Sequence, residues 1–298
     1  MMLLFLVVFI FAYLLSVCFR LAVQHPVNTF KYAGIDTFTW FRLKKYNLCK
    51  TGEIVGYVGL FGRGKTLSAV HKVCTMYCRY NDKPVWCPDR KRFVTQKVHI
   101  ISNVHLTGVP YENFVTLQQI VNAAETNRAK DMENDTLTIT LVLGDEFSVQ
   151  MNSRNFKTNI DPLFLNTILT CRHHHISLYY TAQRFGHVDA LLRQVTSYVV
   201  DCNKVWRFQC QKSYDAWEME NATNPEMIRP LGRGGFFVTN RDYNAYDTLA
   251  CVGNLSKSFA DGDMLTEEEI LALQCNQPAN MDVVSKPSRQ YLKRRKTK

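Results

Sequence analysis

The 298-residue chain has room for one domain of ordinary size with additions, or for two small ones, which excludes a large multidomain machine. Its 46% apolar and 21% charged residues support a buried core and exclude a disordered chain. A formal net charge of +10 favours polyanionic partners, nucleic acid or acidic lipid headgroups, over acidic proteins and neutral small molecules.

The first element is apolar. Leu3 to Phe19 reads LLFLVVFIFAYLLSVCF without a charge, and Leu21 to Val23 continues it beyond Arg20. A spanning helix needs about 20 apolar residues, with a lower limit near 17, so the run just qualifies. The basic start and small-residue cleavage site of a secretory signal are both missing, and residues 1–23 are expected to be an uncleaved anchor. Arg20, Lys31, Arg42, Lys44, Lys45 and Lys50 all follow the run, which predicts a single pass with the body of the protein cytoplasmic. Residues 24–50 carry Pro26, Phe30, Tyr32, Trp40 and Phe41 beside the basic cluster. They suit an interfacial segment near anionic lipid and, equally, a linker packed on the domain.

Glu53 to Val58 reads as a short strand, and Gly59-Leu-Phe-Gly62-Arg63-Gly64-Lys65-Thr66 follows it as an unbroken G-x-x-x-x-G-K-[ST]. With glycine at ~7% of residues, chance yields such a match roughly once in a hundred chains of this length. After the loop, Leu67, Val70, Val73, Cys74 and Tyr77 recur at helical spacing. Strand, glycine loop and helix stand in the order that a phosphate cradle requires. Glycines let backbone amides converge on phosphate oxygens, and the helix start adds its positive dipole end. The expected ATP-binding residues are Gly59, Gly62, Arg63, Gly64, Lys65, Thr66 and Leu67, with Lys65 on the β and γ phosphates and the Thr66 hydroxyl on Mg2+. Cys74 and Cys78 lie one helical turn apart with Cys87 beyond, but no second pair with ligand spacing follows, and helix-face packing is the preferred reading. The scattered remaining cysteines fit buried thiols in a reducing compartment.

Residues 137–147, LTITLVLGDEF, give an apolar strand that closes on Asp145-Glu146. This is the acidic pattern a phosphate loop needs, with Asp145 expected on the metal and Glu146 expected to accept the proton of the attacking water. A further strand, Ile176 to Gln183, ends in an amide. Ligands collect at the carboxyl ends of parallel strands, so Gln183 is a candidate for the γ phosphate or lytic water, and equally for a surface amide. His173, His174 and His175 precede that strand. Consecutive residues point in different directions, which favours a polar strand edge over a metal site.

Leu191 to Arg193 reads as helical, Thr196 to Cys202 as a strand and Val205 to Cys210 as its pairing partner. Beyond about residue 215 turn chemistry dominates. Gly232-Arg-Gly-Gly235 is expected to be a flexible surface loop, with approach to phosphate as the lesser alternative. Thr266-Glu-Glu-Glu-Ile opens a capped helix. The last dozen residues are basic and free of acid, which suits a tail for DNA phosphates or anionic lipid. The expected division is anchor 1–23, juxtamembrane segment 24–50, P-loop core 51–215, extension 216–284 and tail 285–298.

Taken in order, GLFGRGKT, the strand HIISNVHL at 99–106, LVLGDEF and RHHHISLYYTAQRFGHVDALLRQ at 172–194 resemble the zonular occludens toxin-like assembly ATPases of filamentous phages. These belong to the FtsK/HerA group of DNA-pumping P-loop ATPases, and the resemblance spans roughly residues 50–205. It implies an α/β, RecA-like domain with a mostly parallel sheet flanked by helices, here preceded by one membrane helix. It further implies a homo-oligomeric ring, virion-assembly partners, and ATP hydrolysis coupled to packaging or extruding DNA, with Gln183 as the strand-end sensor. Ring ATPases complete each site with a neighbour's arginine, and Arg154, Arg172, Arg184 and Arg193 are candidates. The chain departs from these ATPases in placing its anchor first, an order similar to conjugation coupling proteins. A conjugation-like transfer motor and a nucleotide-binding membrane scaffold with little turnover are the alternative readings.

Overall fold

The computed structural model describes residues 13, 16–114, 118–146, 169–222 and 227–247. Most of the apolar run from Leu3, Arg154, the helix start at Thr266 and the basic carboxyl end lie outside them. The chain enters through helices α1 (Val17–Gln24) and α2 (Pro26–Arg42). Strand β1 (Ile54–Val58) and helix α3 (Lys65–Tyr80) flank the glycine loop, followed by β2 (Lys83–Cys87), β3 (Arg92–Ser102), β4 (His105–Leu106) and β5 (Glu112–Asn113). Helix α4 (Gln118–Asn134) leads to β6 (Thr136–Gly144), then β7 (Ile176–Ala182), α5 (Ala190–Val195), β8 (Tyr198–Val205) and β9 (Phe208–Asp215). Helix α6 (Ala216–Asn221), β10 (Gly232–Phe237), α7 (Asn240–Tyr243) and β11 (Tyr246–Asp247) complete it.

The main sheet runs β10-β9-β8-β1-β7-β6-β3-β2, with β5 beside β3. Strands β8, β1, β7, β6 and β3 are parallel, and antiparallel pairs close both edges. Parallel strands must be covered on both faces, and β7 is accordingly buried along its whole length. Alternation divides its residues between two cores. Tyr179 joins Val55, Tyr57, Leu141 and Leu143 under Val70 and Val73 of α3, whereas Leu178 and Tyr180 join Ile54, Val58 and Val142 under Ile120 of α4 and Leu192 of α5. This is the α/β arrangement of a P-loop NTPase. Strand β7 stands between the loop strand β1 and the acidic strand β6, so three strand ends open onto one rim.

Three expectations change. The glycine-rich stretch at 232–235 is not a loop: it is most of β10, paired antiparallel from Gly232 on Ser213 to Phe237 on Phe208. Its glycines permit close approach, since a Cβ at Gly235 would stand 2.4 Å from the Gln209 carbonyl oxygen. Phe236 fastens the strand to α3 by stacking on His71 at 3.8 Å between ring centroids, and His71 Nδ1 also meets Asp242 Oδ1 at 2.8 Å. The β8–β9 hairpin is shifted, because the turn falls on Trp206-Arg207 and Val205 therefore belongs to β8. The strand expected over 99–106 breaks at Asn103, between β3 and the two-residue β4.

Helix α2 has no buried residue, and Phe30, Phe38 and Phe41 are exposed on it, whereas the stretch after it packs on the domain: Asn47 Nδ2 donates to the Pro84 carbonyl at 3.2 Å, and the buried Cys49 donates its amide to Gln96 Oε1 at 3.1 Å. Among the described residues no helix is long and apolar enough to cross a membrane. Cys74 is partly buried against the α3 core and Cys78 is exposed, and no cluster of metal-ligating side chains forms among the described residues. His173, His174 and His175 lie in the turn that enters β7.

Candidate active site at the phosphate loop

The loop between β1 and α3 depends on positive φ at Gly59 (148°), Gly62 (73°) and Gly64 (79°), a conformation that side-chain-bearing residues adopt at a cost. Gly64 is the N-cap of α3, so the first free amides of a 16-residue helix point into the loop. Lys65 is the first residue of that helix and only 8% exposed. Its Nζ donates to the Leu60 carbonyl oxygen at 3.2 Å across the loop. The ammonium thus lies inside the cradle on an oxygen that a phosphate oxygen can replace. Leu67 is buried in the core beneath, and Arg63 is exposed and donates to Asn203 Oδ1 on β8.

The acidic strand end meets the loop directly. Thr66 Oγ1 donates to Asp145 Oδ1 at 2.8 Å, although the two residues are 79 apart in sequence. The same carboxylate oxygen accepts from Thr181 Oγ1 of β7 at 2.6 Å, and that hydroxyl accepts from the Glu146 amide at 2.8 Å. Asn103 binds the turn from the other side: its Oδ1 accepts from the Asp145 amide at 2.7 Å and its Nδ2 donates to the Asp145 carbonyl at 2.9 Å. Thr66 of α3 and Thr181 of β7 therefore converge on one carboxylate, while Asn103, just past β3, holds its backbone. Glu146 follows it at φ 48°, in the left-handed region.

The Thr66 hydroxyl and Asp145 carboxylate are hard oxygen donors side by side. They suit Mg2+, which takes one or two protein oxygens and keeps waters and phosphate oxygens for the rest. Both hydrogen bonds to the Asp145 carboxylate fall on Oδ1, and among the described residues Oδ2 has no partner, which suits a metal-bound water there.

Gln183 follows the end of β7. The β1–β7 register closes with Val58 opposite Ala182, which puts Gln183 next to Gly59. It lines a cavity of about 780 Å³ with Gly59, Leu60, Arg63 and Arg184, a volume within the range of small-molecule sites. Thr181, not Gln183, makes the contact with Asp145. Asp201 of β8 and Lys212 of β9 close the cavity's far side. Partial burial raises the Asp201 carboxyl pKa, and the nearby Lys212 and Arg63 charges oppose the shift. Of the arginine candidates, Arg193 is engaged within the chain, with Nε on Glu220 at 3.2 Å and Nη1 on the Val188 carbonyl at 2.7 Å. Arg184 is exposed at the cavity rim, and Arg172 packs against Gly52.

Sequence reading does not single out Asn103, Thr181 or Gln209. Thr181 shares its face with Gln183 by strand alternation, so that signal is present. Gln209 has none. It sits on β9, 1% exposed, and its Nε2 donates to the Arg63 carbonyl at 3.1 Å. A Cβ at Gly64 would stand 2.3 Å from its Oε1, so this amide and a larger residue at 64 exclude one another. Gln209 is a strut under the loop. Truncating it to alanine removes the hydrogen bond and opens space beneath Gly64, and the expected result is ATP affinity weaker by about tenfold, the equivalent of roughly 1.4 kcal/mol of loop ordering. Titration of a fluorescent ATP analogue checks this, and an unchanged affinity would show that the loop holds its shape without the strut.

Among family models and curated proteins, nothing matches the chain. Among solved structures, the chain is similar to the N-terminal domain of zonular occludens toxin from Neisseria meningitidis, at 15% identity and a TM-score of 0.41, over 66% of this chain and all of that one. It is also similar to the genome packaging NTPase B204 of Sulfolobus turreted icosahedral virus 2, solved with AMPPCP, at 12% identity and a TM-score of 0.36, over 63% of this chain and 98% of that one. A third is EssC (ATPases 2 and 3) from Geobacillus thermodenitrificans, at 14% identity and a TM-score of 0.35, over 50% of this chain but only 32% of that one. What this chain's own topology and contacts establish is a P-loop NTPase fold in which glycine loop and acidic strand end form one assembled site.

Proposed function

We propose that the chain is a membrane-anchored P-loop ATPase that couples ATP hydrolysis to moving viral DNA during virion assembly. The observation that carries the reading is the 2.8 Å contact of Thr66 Oγ1 with Asp145 Oδ1, which brings phosphate loop and acidic edge to one point at the mouth of the sheet. In the proposed mechanism, amides of Gly62, Gly64 and the first turn of α3 grip the β phosphate, and Lys65 leaves the Leu60 carbonyl for the β and γ phosphates. Thr66 and Asp145 would hold Mg2+, which when bound would neutralise charge on the phosphate oxygens. Glu146 accepts the proton of the attacking water, Gln183 orients that water or the γ phosphate, and Thr181 and Asn103 hold the acidic turn in place. Arg184, exposed on the cavity, is the side chain best placed to serve a neighbouring subunit in a ring. The net charge of +10 supports DNA contact through phosphates, and the exposed aromatic helix α2 supports a location at a lipid interface, with the body cytoplasmic.

The amino-terminal position of the apolar run favours a second reading, a conjugation-like transfer motor with the same chemistry. Steady-state ATP hydrolysis by the full chain in detergent, with and without DNA, tests the motor. DNA is expected to raise the turnover several-fold, whereas negligible hydrolysis indifferent to DNA would replace the motor with a nucleotide-binding scaffold.

A further inference from the structure

The β8–β9 hairpin outruns the site it borders. Asp201 on Val58 is the last pairing of β8 with β1, yet β8 continues to Val205 before it turns. Trp206 and Arg207 form the turn, and Trp206 takes φ 53°. In two-residue hairpin turns that conformation belongs to glycine, asparagine or aspartate. A tryptophan there sacrifices local preference, and the residue is left 69% exposed. Phe208 and Phe237, paired across β9 and β10, are 53% and 50% exposed and complete a triad with it. Ring centroids are 5.6 Å apart for Trp206–Phe208, 5.9 Å for Trp206–Phe237 and 5.6 Å for Phe208–Phe237, with interplanar angles of 59°, 76° and 75°. None of the pairs stacks face to face.

On the opposite face of the hairpin two cations turn toward α7. Arg207 is fixed by bonds to the Val238 carbonyl (3.0 Å) and Asn240 Oδ1 (2.7 Å), and Lys204 lies 4.5 Å from the Tyr243 ring centroid. Neither forms an ion pair among the described residues. On the face of Phe208 and Phe237, the register then places Lys212 opposite Arg233, with Asp201 opposite Lys212 as the acid on that strip. The strip thus runs from the aromatic tip to Lys212 and Arg233, at the edge of the cavity that Lys212 lines with Arg63 and Gln183.

We propose that this hairpin face binds single-stranded nucleic acid, with bases stacking on Trp206, Phe208 and Phe237 and phosphates meeting Lys212 and Arg233. Every base has a π-face, so such a platform is indifferent to sequence and depends on strand separation, while the cations supply the salt-dependent part. The proposal rests on the DNA half of the function proposed above and not on its ATPase half.

The test is fluorescence anisotropy of a labelled 20-nucleotide oligo-dT with the full chain in detergent, at fixed salt and without ATP. Trp206→Ala, and Phe208→Ala combined with Phe237→Ala, are each expected to weaken binding by about five- to a hundredfold. Trp206→Phe is expected to recover most of the loss. Affinity for heparin, which offers charge without bases, and for a fluorescent ATP analogue should stay within about twofold in properly folded variants. Wild type that binds oligo-dT, with both alanine variants binding equally well, would remove the hairpin from DNA contact and leave the motor reading intact. Wild type that does not bind oligo-dT would overturn this proposal, and the motor reading would then be decided separately by whether duplex DNA raises ATP turnover. Unchanged oligo-dT binding, with loss of self-association in sedimentation or of binding to phosphatidylglycerol vesicles, would reassign the face to a second copy or to lipid.

Discussion

Replacing Lys65 with alanine removes ATP binding from an otherwise folded chain. The side chain is almost wholly buried, and its ammonium rests on the Leu60 carbonyl inside the loop. A buried charge on one neutral carbonyl is poorly compensated, and a triphosphate that displaces this oxygen gives it charge-assisted bonds instead. Losing those bonds is expected to weaken affinity by about a hundredfold or more, since hydrogen bonds to charged groups contribute roughly 1.5–3 kcal/mol each. The fold should not suffer, because the one hydrogen bond lost belongs to the loop and the α3 core is left as it is. Titration of a fluorescent ATP analogue, with a thermal melt as control, measures both. Wild-type affinity in this variant would mean that the cradle grips something other than a polyphosphate.

The glycine loop and acidic strand are legible in the sequence because each is a local signal: conformation and charge are encoded within eight and eleven contiguous residues. So is the buried β7, whose uncharged, mostly apolar run suits a strand covered on both faces. The supports of the site are not legible. Gln209 reaches Arg63 across 146 positions of sequence, and nothing near it distinguishes it from any strand glutamine. Asn103 reads as the middle of a strand, yet its amide closes the Asp145 turn from a neighbouring strand end. The glycines of β10 read as a loop by propensity. Pairing with β9 and the stack of Phe236 on His71 override that preference, as tertiary context often does for strands. The shifted hairpin has the same cause: a tryptophan at a left-handed turn position contradicts turn preference, so the sequence pattern puts the turn elsewhere.

Glu146→Gln separates hydrolysis from binding. Glu146 holds a left-handed backbone conformation at φ 48°, which costs a non-glycine residue about 1–2 kcal/mol. That conformation is sustained by the Thr181 hydroxyl, which accepts the Glu146 amide while donating to Asp145. One side chain therefore fixes the metal-side carboxylate and the backbone of its neighbour together, so the two acids move as a unit. Glutamine keeps the shape and the backbone bond but lacks a carboxylate to take a proton. Turnover is expected to fall by at least about a hundredfold, within the range of general-base contributions, with ATP affinity kept within about twofold. Asp145→Asn, in contrast, alters the oxygen that accepts from Thr66 and should weaken Mg-dependent ATP binding itself. Single-turnover hydrolysis beside equilibrium titration distinguishes the two acids. A Glu146→Gln variant with wild-type turnover would move the base elsewhere on the rim, to a group that reaches the water without this turn.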